Sequence, residues 1–272
     1  MYSRNLPYNY KIMFNDGVLK LPYALFLGHP WGIVGTLSFK RIFTNYMLFD
    51  AGCGVSLGIY NNDFINFYKK DISSLNTLVY NNEELNDKLF SFIGKVELPD
   101  IYFNMVNREQ NNTLYKDSED KYCLACHYGD NTISRICINW FNRQYGASTS
   151  DITSINILIK LTKLCQEYAK DIRLWYFNII NNYFGVEYID YIDSPHVWLD
   201  NNNLFRIGVQ KADIDDYSIQ RRNNSVYLFK GLGNKEWNYS TCGVIHHPNF
   251  NIDEFIVTIK DTAYLVNTFN KI

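Results

Sequence analysis

The stretch LFDAGCGVSLGIYNNDFINFYKKDIS, residues 48–73, brings an acidic residue, two glycines and a cysteine directly after an apolar run. Glycine carries no side chain, so a turn built on it lets the backbone approach a ligand or a neighbouring segment closely. Three interpretations follow: a loop that holds a nucleotide-like cofactor, a cysteine placed for covalent chemistry, or a tight turn without a ligand. Each makes different demands on the rest of the sequence.

The composition is that of an ordered globular protein. Of 272 residues, 47% are hydrophobic, 17% are aromatic and 20% are charged, which is ample material for a buried core. We therefore expect a single domain over residues 1–272. The formal net charge of -2 does not supply the broad positive surface that gathers phosphates, so a small-molecule substrate is favoured over nucleic acid.

The cysteines indicate a reducing compartment. The first thirty residues lack the uninterrupted apolar segment of a secretory signal, and no later run has the length of a membrane span. We expect a cytoplasmic protein with no membrane contact. Its six cysteines are then thiols, metal ligands or a nucleophile rather than disulfides.

The pattern along the chain is strand-rich, then helical, then strand-rich. Residues 18–27 predict a strand after the hairpin turn Asn15-Asp16-Gly17, followed by a glycine-rich loop at 28–35 and a short helix at 36–43. The polar segment 104–122 predicts an inserted segment or lid.

The clearest predicted helix begins at the capping pair Ser150-Asp151 and ends near Tyr183, before Gly185. Apolar residues recur on one of its faces at three- and four-residue steps. These residues are Ile155, Leu158, Thr162, Cys165, Ala169, Ile172, Trp175 and Ile179. Short strands are predicted afterwards at 186–190, 196–199, 204–209, 225–229 and 254–259.

The segment FDAGCGVS, residues 49–56, resembles the first motif of class I S-adenosylmethionine-dependent methyltransferases. The resemblance implies an α/β fold, with a Rossmann-like sheet flanked by helices and, here, a strand-rich N-terminal extension. It also implies methyl transfer to a small or amphipathic acceptor. By position, it assigns S-adenosylmethionine binding to Asp50, Gly52, Cys53, Gly54, Ser56 and, for the ribose hydroxyls, Asp71.

Residues 49–60 also resemble the Phe-Gly-X-Gly-X-Gly stretch of the butirosin-type acyltransferases. That family uses a papain-like cysteine to move an acyl group from a carrier protein onto an amine. The resemblance implies an α+β papain-like fold, an acyl-thioester intermediate and a carrier-protein partner. The family's upstream His-Cys pair is replaced here by His29-Pro30, so another cysteine would have to act as the nucleophile.

Cysteine-dependent acyl transfer or hydrolysis requires a nucleophile, a base and an orienting acid. The adjacent Cys126 and His127, with His196 after a proline turn, are the main catalytic candidates. The full set comprises the nucleophiles Cys53, Cys126 and Cys242, the bases His127, His196 and His246, and the orienting acids Asp130 and Asp200.

A zinc site is the third chemical interpretation. Cys123-X-X-Cys126 has the spacing of a thiolate ligand pair, and Cys242 with His246 or His247 would complete a tetrahedron. The following His127 gives the spacing of c-type haem attachment as well, but that attachment requires export. A non-catalytic binding protein with structural cysteines is the remaining alternative.

Overall fold

The computed structural model describes residues 19–27, 29–37, 41–61, 78–96, 101–102, 113–129, 131–222, 224–235 and 251–272. Within these ranges the fold is mixed α/β, with five helices. The helices are α1 (Thr44–Leu48), α2 (Glu83–Ile93), α3 (Asn131–Tyr145), α4 (Ile152–Phe184) and α5 (Ile252–Ile259). The strands are β1 (Leu19–Leu27), β2 (His29–Leu37), β3 (Ile42–Phe43), β4 (Gly54–Tyr60), β5 (Val79–Tyr80), β6 (Ile101–Tyr102), β7 (Leu114–Lys116), β8 (Tyr122–Tyr128), β9 (Ser148–Thr149), β10 (Asp190–Pro195), β11 (Val197–Leu199), β12 (Leu204–Ile207), β13 (Tyr217–Arg222), β14 (Ser225–Gly231) and β15 (Ala263–Lys271).

The main sheet has seven strands in the order β10-β4-β8-β7-β15-β14-β13, and a second sheet has the order β1-β2-β12-β11. Every pairing among the described strands is antiparallel. The parallel, Rossmann-like sheet is therefore not seen in these ranges. The apolar run before the glycines forms helix α1, and the strand β4 begins at the second glycine, Gly54, instead of preceding the glycines.

The long predicted helix is confirmed as α4. The Asp151 carboxylate accepts a 2.8 Å hydrogen bond from the Ser154 amide, and Gly185 ends the helix in the left-handed conformation. The apolar face of α4 packs on the face of the main sheet that includes Tyr60 and Cys126. Within the described ranges, no helix combines the length and the apolar composition needed to cross a bilayer.

The opposite face of the main sheet contributes to a second core. Val55 and Leu57 of β4 pack there with Cys123 of β8 and with Ile219 and Val226, which lie at the far end of the sheet. The sheet therefore curls so that its two ends share buried side chains. β4 is buried along its whole length because one of its faces lies under α4 and the other lies in this second core.

The strand predictions had mixed outcomes. β1, β11, β12 and β14 confirm the strands predicted at 18–27, 196–199, 204–209 and 225–229. The strand predicted at 186–190 is wrong for most of its length, since β10 begins only at Asp190.

Three further differences concern segments where glycine content or apolar character misled the prediction. The loop predicted at 28–35 is wrong, since 29–35 belong to β2, which pairs with β1 and β12. The helix predicted at 36–43 is also wrong, because its described residues end β2 and form β3. The strand predicted at 254–259 lies in α5, which buries Phe255 and Ile259 four residues apart on one helical face. In the main sheet, β4, β7, β8, β13 and β15 were not predicted as strands.

The lid predicted at 104–122 is not a lid in its described part. Residues 113–122 form β7, a turn and the start of β8 within the main sheet. The polar residues belong to the turn, where the Asp117 carboxylate accepts hydrogen bonds of 2.9 Å from the amides of Glu119 and Lys121. Residues 104–112 and the predicted hairpin turn at 15–17 lie outside the described ranges.

Gly52 and Gly54 allow close packing around the turn between α1 and β4. Gly52 has a φ of +83°, and a Cβ there would lie 2.7 Å from the Cα of Gln166 and 2.8 Å from the Cβ of Ala169 in α4. A Cβ on Gly54 would lie 2.7 Å from the Cα of Pro195. Protein atoms therefore occupy the space that the glycines leave open.

Replacing Gly52 by Ala combines left-handed strain with a clash against α4, so we expect a loss of about 3 kcal/mol of unfolding free energy. Gly185→Ala is the matched control, because Gly185 also has a positive φ, +66°, but no atom lies within 4 Å of its Cβ position. Strain alone predicts a loss of about 1 kcal/mol there. Urea unfolding measures both values, and equal losses would contradict the close packing.

Candidate metal centre

Three side chains from distant parts of the sequence converge at one end of the main sheet. Cys53 immediately precedes β4, His127 lies in β8, and His196 connects β10 to β11. The Cys53 Sγ lies 3.2 Å from the His127 Nε2, and the Nε2 atoms of His127 and His196 are 3.4 Å apart. All three ligand atoms lie within 4.8 Å of one another.

Antiparallel pairing brings these residues together. Val55 pairs with His127, and Gly54 pairs with Pro195, so each histidine lies beside the start of β4. The carbonyl oxygen of Cys53 accepts a 2.8 Å hydrogen bond from the His196 amide. The carbonyl oxygen of His196 accepts in turn from the Gly208 amide. The backbone around the site is therefore fixed independently of any ligand.

Two of the three separations lie near the edges of a zinc tetrahedron, and the third is within 4.8 Å. Zn–N bonds of about 2.0–2.1 Å and Zn–S bonds of about 2.3 Å give edges of about 3.4 Å between nitrogens and about 3.6 Å between nitrogen and sulfur. The observed values are 3.4 Å and 3.2 Å. Among the described residues, these three form the only group of three or more His, Cys, Asp or Glu side chains whose ligand atoms lie close enough together to bind one metal ion.

The environment of the thiol disfavours a free thiolate. Cys53 is 4% exposed and His196 is 1% exposed, whereas His127 is half-buried. Burial raises the pKa of the Cys53 thiol well above its ordinary value, and the Asp50 carboxylate raises this pKa further through its charge and a hydrogen bond. The nearby Arg173 guanidinium acts in the opposite direction. A bound divalent cation would deprotonate such a thiol outright.

Asp50 approaches the thiol from a strained backbone. Its φ is +56°, in the left-handed region that non-glycine residues rarely adopt. Gly129, just after β8, makes room for this side chain, because a Cβ on Gly129 would overlap the Asp50 carboxylate. Strain of this kind concentrates at functional sites.

Arg173 lies in the middle of α4 and is fully buried. Its guanidinium donates hydrogen bonds to the carbonyl oxygens of Gly52 and Tyr128, at 2.6 and 2.9 Å. It also donates to the two carboxylate oxygens of Asp193, at 2.7 and 3.1 Å. Burial lowers the pKa of Arg173, but the opposing effects, led by the charge of Asp193 and its hydrogen bonds, together raise the pKa above its ordinary value. The buried group is therefore a charged pair.

The predicted zinc ligands are not brought together. Cys123 and Cys126 are three residues apart in β8, so their side chains point to opposite faces of the sheet and lie in different cores. The thiolate pair inferred from their spacing is therefore wrong. Cys242, His246 and His247 lie outside the described ranges.

The predicted catalytic pair is also separated. Cys126 is completely buried under α4, and adjacent residues of a strand point to opposite faces, so Cys126 is not the thiol that meets His127. His127 and His196 do meet, with Cys53 as the third member. Asp200 instead accepts hydrogen bonds from the Asn202 and Leu204 amides in the β11–β12 turn. Asp130 lies outside the described ranges.

The residues assigned to S-adenosylmethionine have other partners. Gly52 packs against α4, and Gly54 packs against Pro195 and the Arg173 guanidinium. The Ser56 hydroxyl is buried and donates to Asp193 at 2.5 Å. Asp50 and Cys53 belong to the cluster around the histidines. Asp71 lies outside the described ranges.

No protein-family model matches the chain, and no curated protein matches it.

The sequence identified all three members of the site as candidates, but it did not predict that they lie together. Cys53 and His127 are 74 residues apart, and His127 and His196 are 69 residues apart. The only signal that would have joined them is the antiparallel register, which a single sequence does not specify.

Removing the carboxylate of Asp193 leaves the buried Arg173 charge without its partner. We expect Asp193→Ala to lower the unfolding free energy by about 3–5 kcal/mol. Glu84→Ala is the control, because Glu84 pairs with Lys88 at 2.8 Å on an exposed surface and should contribute little. Urea unfolding compares the two variants, and similar small losses would show that the Arg173 charge is not buried as described.

Proposed function

We propose that this chain is a zinc-dependent hydrolase whose ion is held by Cys53, His127 and His196. The observation that carries the proposal is the convergence of one sulfur and two imidazole nitrogens within 4.8 Å of one another, with two of the contacts at 3.2 and 3.4 Å. Catalytic zinc sites use three protein ligands and keep a fourth position for water or substrate, whereas structural sites have four protein ligands. Among the residues that the structure describes, the set has three ligands, and this number supports a catalytic role.

When bound, a zinc ion in such a site supplies a water whose pKa is near 7 and polarises a substrate carbonyl. The buried Cys53 and His196 close one side of the site against water. The half-buried His127 lies at the more open side, where a substrate would approach. The Asp50 carboxylate, whose hydrogen bond with the Cys53 thiol would be lost once zinc displaces the thiol proton, lies close enough to the site to accept a proton during hydrolysis of an acyl bond.

The convergence adds a second imidazole to the Cys-His contact that a Cys-His-acid triad would use. In such a triad, the nucleophile contacts one ring nitrogen of the base and the orienting group contacts the other. Here the same atom, Nε2 of His127, faces both Cys53 and His196. Shared approach to one nitrogen is typical of ligands around a common ion.

Zinc titration of the metal-stripped full chain tests the centre. We expect one equivalent to bind, and Cys53→Ala or His196→Ala to weaken binding by more than the roughly 10- to 100-fold that is typical of altering a residue that only orients a ligand, because each removes a ligand itself. Cys126→Ala is the matched control, since this buried thiol lies in the same strand as His127 and should leave the affinity unchanged. Absence of binding by the wild-type chain, or equal binding by Cys53→Ala, would contradict the proposal.

A second candidate function is favoured by the 3.2 Å contact between Cys53 Sγ and His127 Nε2. His127 would take the thiol proton, the sulfur would attack a carbonyl carbon, and the departing group would recover the proton. Water or an amine would then release the acyl group from the thioester, as the butirosin-type resemblance implies. Binding of S-adenosylmethionine stays a prediction, and the packing around Gly52 and Gly54 does not favour it.

Hydrolysis of a panel of chromogenic acyl esters and amides separates the two functions. The zinc proposal predicts that a chelator abolishes turnover and that zinc restores it. Acyl-thioester chemistry predicts turnover without metal, inhibition by zinc, and a covalent adduct of acyl substrate on Cys53 detectable by mass spectrometry. Metal-independent turnover with such an adduct would replace the first proposal by the second.

A further inference from the structure

We propose that Arg173 is the positioning residue of the metal centre, and that this one guanidinium fixes the three chain segments that carry the ligands. The inference rests on the proposed zinc site and assigns to it a residue that touches none of the reacting atoms. The positioning role depends on which groups accept hydrogen bonds from the guanidinium, and not on its charge alone.

Each ligand has an Arg173 contact close to it in the chain. The Gly52 carbonyl, which accepts from Nη1 at 2.6 Å, immediately precedes Cys53. The Tyr128 carbonyl, which accepts from Nη1 at 2.9 Å, immediately follows His127. Asp193 lies in β10, the strand that leads through Pro195 into His196. One side chain therefore spans the three segments from the side of α4.

The surroundings are built for a planar guanidinium. Gly54 lacks the side chain that would meet it, since a Cβ there would lie 3.1 Å from the Arg173 Cζ. Ser56 adds an acceptor for Nε at 3.1 Å. Arginine donates in several directions from one rigid fork, whereas lysine donates from a single nitrogen and cannot reach all of these acceptors at once.

Stability alone does not account for this arrangement. Replacing a buried ion pair by apolar side chains of similar size is often neutral or stabilising, and the apolar face of α4 would accept such residues. The charged guanidinium additionally fixes the relative positions of Gly52, Tyr128 and Asp193 through its hydrogen bonds. Residues that orient metal ligands in this way typically change metal affinity by about 10- to 100-fold when they are altered.

Zinc affinity of the full-length chain, measured against a competing chromophoric chelator, tests the inference. We expect Arg173→Lys to bind zinc about 10- to 100-fold more weakly than the wild-type chain. The ligand-field bands of bound Co²⁺ should also change, because these bands report the tetrahedral geometry. Arg206→Lys is the matched control, since Arg206 is also buried and pairs with Asp200 at 3.4 Å, but in the second sheet. It should lose stability yet keep both the affinity and the Co²⁺ spectrum.

The outcomes separate this inference from the proposed function. If the wild-type chain binds no zinc, the metal centre itself is overturned. If the wild-type chain binds zinc and Arg173→Lys binds equally well with the same Co²⁺ spectrum, only the positioning role is overturned. Should Arg173→Lys fail to fold, Asp193→Asn tests the same point, because it keeps the shape of the side chain and weakens the tie to β10. Unchanged zinc affinity in folded Asp193→Asn would then overturn the role.

Discussion

The contact between the Arg173 guanidinium and its buried acceptors connects the helical layer of this protein to the sheet end where the site lies. A charged group in the core is stable only when its donors are satisfied, and this one meets a carboxylate, a hydroxyl and two backbone carbonyls. Those acceptors belong to four different elements or turns. The position of α4 therefore determines where the ends of β4, β8 and β10 lie.

The glycines follow from the same constraint. Gly52 lets the α1–β4 turn lie directly against α4, and Gly54 leaves the space that the guanidinium occupies. Gly129 makes corresponding room for Asp50 at the end of β8. A pattern that resembles a cofactor loop is thus explained by protein atoms filling the places of the missing side chains. The cysteine between the two glycines is held where both histidines can reach it.

Local sequence signals predicted the parts of the fold that depend on local physics. The caps at Asp151 and Gly185, together with a regular apolar face, predicted α4. The run EFIVTI is apolar enough to fit either a buried strand or a helix. In the structure it belongs to the helix α5. β15 exposes the apolar Val266 and half-buries the polar Asn267 and Thr268, so its sequence lacks the regular apolar-polar alternation that predicts a strand.

The site depended on pairing that no local pattern specifies. Cys126 and His127 are neighbours in sequence, but alternation along β8 separates their side chains. Cys53 lies near His127 because Val55, two residues further along the chain, pairs with His127. This register is set by the packing of whole sheets. The sequence therefore predicted which residues are candidates for the site, but not which of them lie together.

X-ray absorption at the zinc edge of the zinc-loaded chain tests the central claim most directly, because it reports the donor atoms of the ion. The account predicts a first shell with one sulfur at about 2.3 Å and two imidazole nitrogens at about 2.0–2.1 Å. A shell without sulfur, or one with two or more sulfurs, would contradict the assignment of Cys53, His127 and His196 as the ligands.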